Sequence, residues 1–325
     1  MTTDITRITP RAPRLPVSVL LAGLSLGFYI IIALSTGETA QLSASGILGL
    51  FQRMVALGLV AIGQTFVILV GSIDLSVAAL VSAVAVLASH VMQGDPTMML
   101  PAIVLCLGLC LMVGLINGAL VAYGGINPLI ATLGTGLVIQ GVLAASFGML
   151  QGAVAREFQV LAYGGLLGVP YSLVLLAALS LAAAFVLDRT LFGARIYAVG
   201  GNPDGARLAG IRTEQVILSA HVVASLFAGA SGLYLAARLQ SGTPWIGRDG
   251  IYDLESIAVT VIGGTILAGG KGGVAGTLAG VLLFASLDAG FNMLGIDAFL
   301  KQVLRGAIVI AAVAVHAVRT KGHVA

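Results

Sequence analysis

Long apolar runs broken by short polar joints set the pattern of this chain. The runs at about 15–35, 47–70, 98–122, 128–150, 171–187, 217–237, 274–294 and 299–318 approach the roughly 20 residues that cross a bilayer as a helix. A shorter one reaches from the joint at 71–76 to about 91, and another covers about 252–267. The runs are continuous and do not alternate with period two, which argues against a β-barrel. The pattern predicts an all-α polytopic membrane helix bundle of about ten transmembrane helices (eight to ten). The segment 238–250, with the only tryptophan, Trp245, reads as an outer loop.

Composition agrees with that class. The chain is 58% hydrophobic and 9% charged, where a soluble domain carries roughly 25% charged residues. Forty-four glycines suit close helix packing in lipid. The net charge of +3 comes from residues scattered at span ends and points to the lipid bilayer, not to nucleic acid. Of the 16 Lys and Arg, ten (Arg7, Arg11, Arg14, Arg189, Arg195, Arg207, Arg212, Lys271, Arg319 and Lys321) fall on segments that share one side. The positive-inside rule makes that side cytoplasmic. Both termini then lie in the cytoplasm: a tail at 1–14, a single transmembrane domain at 15–318 and a tail at 319–325. Cys106 and Cys110, four apart in one apolar run, read as packing residues. The four histidines are dispersed and suggest no metal, and no nucleophile–base set suggests catalysis.

The longest polar stretch between apolar ones is 188–215, with four arginines. Its middle reads as a short helix with both ends marked. Asn202 is a good N-cap, Pro203 suits the first helical position and Asp204 complements the positive end of the dipole. Gly210 sits where a left-handed residue ends a helix, so Ile211 can fold back onto the last turn. About two turns of helix are unstable alone in water, so the segment needs a docking surface. Gly205 adds a helix breaker inside it.

Other polar residues fall at membrane depth. Asp74, in GSIDLS at 71–76, either caps the following helix or serves a transport path. Asn117, Gln140, Glu255, Asp288 and Asn292 either line a hydrated path or bond helix to helix. Asp288 and Asn292 share a face at i, i+4, and Arg305 is a partner for Asp288. The glycine-rich AGGKGG at 268–273 fails the phosphate-loop spacing, which needs four residues between its glycines and Lys-Ser/Thr after them. It reads as a tight turn leading into Gly272, Gly276 and Gly280, a small-residue packing face, as do Gly114 and Gly118.

Four stretches in order carry a family resemblance: GQTFVILVGSIDLSVAAL at 63–80, NGALVAYGGINPLIATLGT at 117–135, FGARIYAVGGNPDGARLAGI at 192–211 and DLESIAVTVIGGTILAGGKGGVAGTLAG at 253–280. Together they resemble the permease subunit of bacterial binding-protein-dependent ABC importers of the ribose and monosaccharide type. Ser72 stands where that pattern has a second glycine. The resemblance implies a multi-pass inner-membrane subunit with no cofactor of its own, since ATP and Mg would be bound by partner ATPase chains. It implies a second permease subunit, identical or paralogous, and a periplasmic sugar-binding protein that delivers a ribose-, xylose- or galactose-like sugar. It makes 188–215 the coupling loop, with Gly200, Gly201, Asn202, Pro203, Asp204, Ala206, Arg207, Leu208, Gly210 and Ile211 as its ATPase-coupling residues and Arg207 and Leu208 as contacts. The alternative is a secondary carrier driven by an ion gradient, which needs acids converging near the midplane. Asp74 and Asp288 are the candidates.

Overall fold

The computed structural model describes residues 16–147 and 152–321. The expected N-terminal tail 1–14, the last four residues of the tail 319–325 and the end of the run at 128–150 lie outside the described residues. The chain is a helix bundle with one two-stranded hairpin. Among the described residues, seven helices are long and apolar enough to cross a membrane: α1 (Val17–Ser35), α2 (Ala44–Leu69), α4 (Met99–Ala122), α5 (Pro128–Ser146), α7 (Tyr171–Arg189), α10 (Thr213–Leu239) and α13 (Val274–Met293). A further long helix, α14 (Ala298–Lys321), has 24 residues. Between these lie α3 (Val77–Met92), α6 (Val160–Tyr163), α8 (Leu191–Gly201), α9 (Pro203–Leu208), α11 (Ile246–Asp249) and α12 (Tyr252–Ile262). The strands β1 (Gly165–Leu166) and β2 (Val169–Pro170) pair antiparallel just before α7.

Helix α10 lies at the centre because glycine lets its neighbours approach. A Cβ on Gly63 of α2 would come 2.9 Å from the Ala224 backbone, and one on Gly114 or Gly118 of α4 would come 2.6 or 2.7 Å from α10 backbone. On α10 itself, a Cβ at Gly232 would meet the Val81 carbonyl of α3 at 2.7 Å. The predicted face on α13 behaves the same way. Gly276 and Gly280 lie against the carbonyls of Gly263 and Val259, at 2.0 and 2.1 Å from an added Cβ. Cys106 and Cys110 are buried free thiols in this packing.

Two expectations are corrected. The run at 252–267 does not cross as one helix: α12 has 11 residues, about 16 Å long against a hydrocarbon core of about 30 Å. The segment 238–250 is not a surface loop. A Cβ on Gly242 would meet the Ala85 carbonyl at 2.5 Å, and one on Gly247 would meet the Ala78 carbonyl at 1.8 Å. Between these two contacts the segment descends seven residues of α3, about 10 Å. Gly242, Pro244 and Gly247 are buried, and the Gly247 amide donates to Ser82 Oγ at 2.9 Å. The segment re-enters the bundle, and the half-helix α12 starts from its floor. Irregular backbone at membrane depth is tolerated where protein covers it or where it lines a water-filled cavity.

Candidate functional site

The helix ends gather into two sets. One holds the joints at 70–76, 200–212 and 263–273. The other holds the opposite ends of α2, α10, α13 and α14, with the re-entrant segment between them.

In the first set, α9 forms as its sequence marks indicate. Asn202 Oδ1 accepts from the Gly205 amide at 2.9 Å, and Pro203 opens the helix. Gly205 does not break it. A Cβ there would come 3.0 Å from the Asn202 amide group, so the missing side chain admits the cap. Gly210 has φ +83°, the Ile211 amide donates to the Ala206 carbonyl and the Gly210 amide to that of Arg207, each at 3.0 Å. This is a Schellman ending. Ala206 is buried, while Leu208 is 90% exposed. Arg207, expected as a contact, turns back on its own chain. Its guanidinium bonds Glu214 at 2.8 Å and Thr213 Oγ1 at 3.1 Å, with the exposed Asp204 at 3.8 Å.

The segment leading into α9 is knotted to two other helix ends by glycine. A Cβ on Gly200 would lie 1.7 Å from the Leu69 carbonyl oxygen and 2.6 Å from the Gly270 amide. That amide donates to Leu69 O at 2.9 Å. Gly269 approaches the Gly71 amide and the Gly200 carbonyl, each at 2.9 Å from an added Cβ. Tyr197 of α8 closes the contact by donating to the Gly272 carbonyl at 3.0 Å. The glycine-rich stretches 200–201 and 268–273 are therefore one site. Each supplies backbone that the other touches directly.

Beside this knot, the joint between α2 and α3 buries the side chains of Ser72, Asp74 and Ser76. Asp74 Oδ1 accepts from the Ser76 amide at 2.9 Å and from Ser76 Oγ at 2.6 Å. Asn117 Nδ2 donates to Ser76 Oγ at 2.8 Å. Asp74 Oδ2 lies 3.2 Å from His221 Nδ1, and His221 Nε2 lies 3.0 Å from Ser72 Oγ. With the Gln64 amide group turned over, it also bonds the Asp74 backbone at 3.2 and 3.3 Å. Asp74 thus holds the Ser76 amide and hydroxyl at the entry to α3, as its capping reading expects, and ties that entry to α10. His221 was missed by sequence reasoning. Ser72 gives it a partner that a glycine would not.

In the second set, charged side chains line a cavity of about 260 Å³ between α2, α10, α12, α13 and α14. Arg53 Nη1 lies 2.7 Å from Asp288 Oδ2, and Arg305 pairs with the other oxygen of Asp288. Arg305 Nη1 also stands 3.3 Å from Glu255 Oε1. Asn292 Nδ2 is 3.3 Å from Asp288 Oδ2, and Lys301 donates to Asn292 Oδ1. Tyr234, Arg238 and Tyr252 complete the wall, with Arg238 Nη1 donating to the Tyr234 hydroxyl at 2.7 Å. The six polar residues singled out in the spans therefore separate. Asp74 and Asn117 join the buried joint. Glu255, Asp288 and Asn292 join the cavity group. Gln140 stands apart and donates to the Pro244 carbonyl of the re-entrant segment at 3.2 Å. No group of three His, Cys, Asp or Glu side chains suits a metal among the described residues.

The family model described as "Branched-chain amino acid transport system / permease component" matches residues 46–313. The chain is similar to the ribose import permease protein RbsC of Bacillus subtilis (strain 168), 36% identical with 88% of this chain and 89% of that protein covered. It is also similar to RbsC of Escherichia coli (strain K12), 32% identical with 89% and 91% covered. The xylose transport system permease protein XylH of the same strain is 32% identical, with 86% of each chain covered. No solved structure gives a significant match. With its bundle of membrane-length helices and this match over most of its length, the chain belongs to the permease component family of these transport systems.

Proposed function

We propose that this chain is the membrane permease subunit of an ATP-driven importer in the bacterial inner membrane, and that its substrate is a monosaccharide of the ribose or xylose kind. The observation that carries the reading is the similarity to ribose and xylose permeases along nearly the whole chain. Two structural features support it. The capped α9 presents Leu208 outward, as a coupling helix requires. The re-entrant segment and half-helix α12 border a polar cavity, the arrangement in which transporters place substrate.

In this reading the 188–215 loop is cytoplasmic, and Gly200, Gly201, Asn202, Pro203, Asp204, Ala206, Arg207, Leu208, Gly210 and Ile211 form the coupling segment. Two separate ATPase chains bind ATP and Mg and grip α9 on each of two permease subunits, identical or paralogous. A periplasmic binding protein delivers the sugar from the other side. ATP binding moves the α9 segments and shifts the population between pathway orientations, and hydrolysis resets it. Arg53 is 41% exposed in the single chain, and Arg248 and Asp249 of the re-entrant segment are exposed as well. Charges at membrane depth face water or protein, not lipid, so this face is the one turned to the second subunit. A carrier driven by an ion gradient fits less well. Asp74 is sealed behind His221, and Asp288 is held by two arginines.

Copurification of the tagged chain from its native membrane tests the reading. An ATPase subunit should arrive in stoichiometric amount. Leu208→Asp should weaken its retention by about tenfold or more, since a buried leucine contributes roughly 1.5–3 kcal/mol. Arg207→Glu should weaken it less, because Arg207 is engaged with Glu214. Recovery of the wild-type chain alone, with solute movement that needs an ion gradient and no ATP, would sink the importer reading.

A further inference from the structure

We infer that the cavity walled by Arg53, Tyr234, Tyr252, Glu255, Asp288 and Arg305 is a binding site for one neutral monosaccharide ring, with the Glu255 carboxylate as its hydroxyl acceptor. The inference rests on the importer reading and names the site at which such a solute is held.

The first argument is Glu255 itself. Its side chain is 7% exposed, yet Oε1 accepts no hydrogen bond. Arg305 Nη1 lies 3.3 Å away as an ion pair, but no N–H points at the oxygen. A buried carboxylate oxygen left without a donor costs free energy. Oε1 itself is closed off by protein, so a sugar hydroxyl supplies the donor once the Glu255 side chain, which borders the cavity, turns toward it.

The second argument is placement. Glu255 sits in the first turn of α12, just past the floor of the re-entrant segment. Carbonyl contacts fix its depth: Val259, one turn further along α12, lies against Gly280 of α13. Gly280 is six residues from the start of α13, about 9 Å. Glu255 is therefore near mid-depth, while Arg53 and Asp288 stand above it toward the other end. A solute reaching Glu255 passes those two charges first.

The third argument is chemistry and size. Two carboxylates are interleaved with the two guanidiniums of Arg53 and Arg305, so the lining offers acceptors and donors in alternation, as a polyol needs. Tyr252 and Tyr234 border the same cavity. The volume, about 260 Å³, falls below the roughly 300–1,000 Å³ of pockets for drug-sized ligands and suits a single ring.

The test uses the full-length chain in nanodiscs and equilibrium binding of radiolabelled D-ribose and D-xylose, with D-xylonate as an anionic control. One of the two pentoses should bind, Glu255→Ala should weaken it at least tenfold, and Glu255→Gln, which keeps an acceptor oxygen, should weaken it less. Ala285 lines the cavity without contributing charge. Ala285→Met should abolish pentose binding while ATPase copurification persists, which keeps the question open to measurement if Glu255→Ala fails to accumulate. Unchanged pentose binding in Glu255→Ala or in Ala285→Met overturns the site. So does preferential binding of xylonate, which would point to Arg238, whose guanidinium donates to the neutral Tyr234 hydroxyl. Retention of the ATPase with no pentose binding refutes this site alone. Loss of the ATPase partner in the wild-type chain refutes the importer reading.

Discussion

Replacing His221 with leucine should lower the stability of the protein by about 3 kcal/mol or more, since an unsatisfied buried acceptor costs roughly 1–3 kcal/mol and more when it is charged. Asp74 is fully buried. Its Oδ1 is satisfied by Ser76, but among the described residues Oδ2 has His221 Nδ1 as its only side-chain partner. Leucine fills most of the volume and returns no donor, so Oδ2 is left uncompensated inside the bundle. The hydroxyl of Ser72 loses its ring-nitrogen partner in the same step. A double-mutant cycle separates this from simple loss of packing. With Asp74→Asn already in place, His221→Leu should cost far less, because a neutral amide is cheaper to leave unpaired than a carboxylate. Thermal loss of the folded fraction in detergent measures both arms. Additive losses would mean that the two side chains are neighbours without coupling, and that the joint between α2 and α3 is held by Ser76 and Asn117 alone.

Asp74 and His221 also show where reading the chain stops. The cap of α9 lies within nine residues, Asn202 to Gly210, and every bond in it is a local one that propensity anticipates. Most span boundaries fall within a few residues of the apolar runs for the same reason, since hydropathy is a local property. The His221–Asp74 contact joins residues 147 positions apart, and nothing in either neighbourhood announces it. The re-entrant segment was misread for a different cause. RLQSGTPWIGRDG at 238–250 is polar and rich in turn formers whether it lies in water or lines a cavity. Its depth is set by Gly242 and Gly247 meeting α3 backbone, and the Gly247–Ser82 bond at the same place joins residues 165 positions apart. The pairing of Arg305 with Asp288 was legible because a charge inside a span demands a counter-charge. The roles of Arg53 and Glu255 in the same cluster became visible only when four helices were brought together.

Substituting alanine for Gly200 should abolish coupled transport, while the same substitution at Gly201 should leave it nearly intact. The two positions are adjacent, both helical, and cost the same in propensity terms, so only their surroundings differ. At Gly201 an added Cβ meets nothing within 4 Å. At Gly200 it lies 1.7 Å from the Leu69 carbonyl oxygen and 2.6 Å from the Gly270 amide. Backbone cannot swing aside as a side-chain tip does, so α8 must lift off the end of α2. The lift pulls on the 2.9 Å bond from Gly270 to Leu69 and on the one from Tyr197 to Gly272. Overpacking of a well-filled interior costs roughly 1–3 kcal/mol, which a protein of this size survives. What it does not survive is the separation of α9 from the joints it touches, since α8 runs directly into the Asn202 cap. Uptake by cells carrying the assembled importer should fall at least tenfold for Gly200→Ala and less than twofold for Gly201→Ala, at equal amounts in the membrane. Equal activity of the two variants would show that movement of α9 reaches the bundle through α10, by way of Arg207, Thr213 and Glu214, and not through the glycine contact.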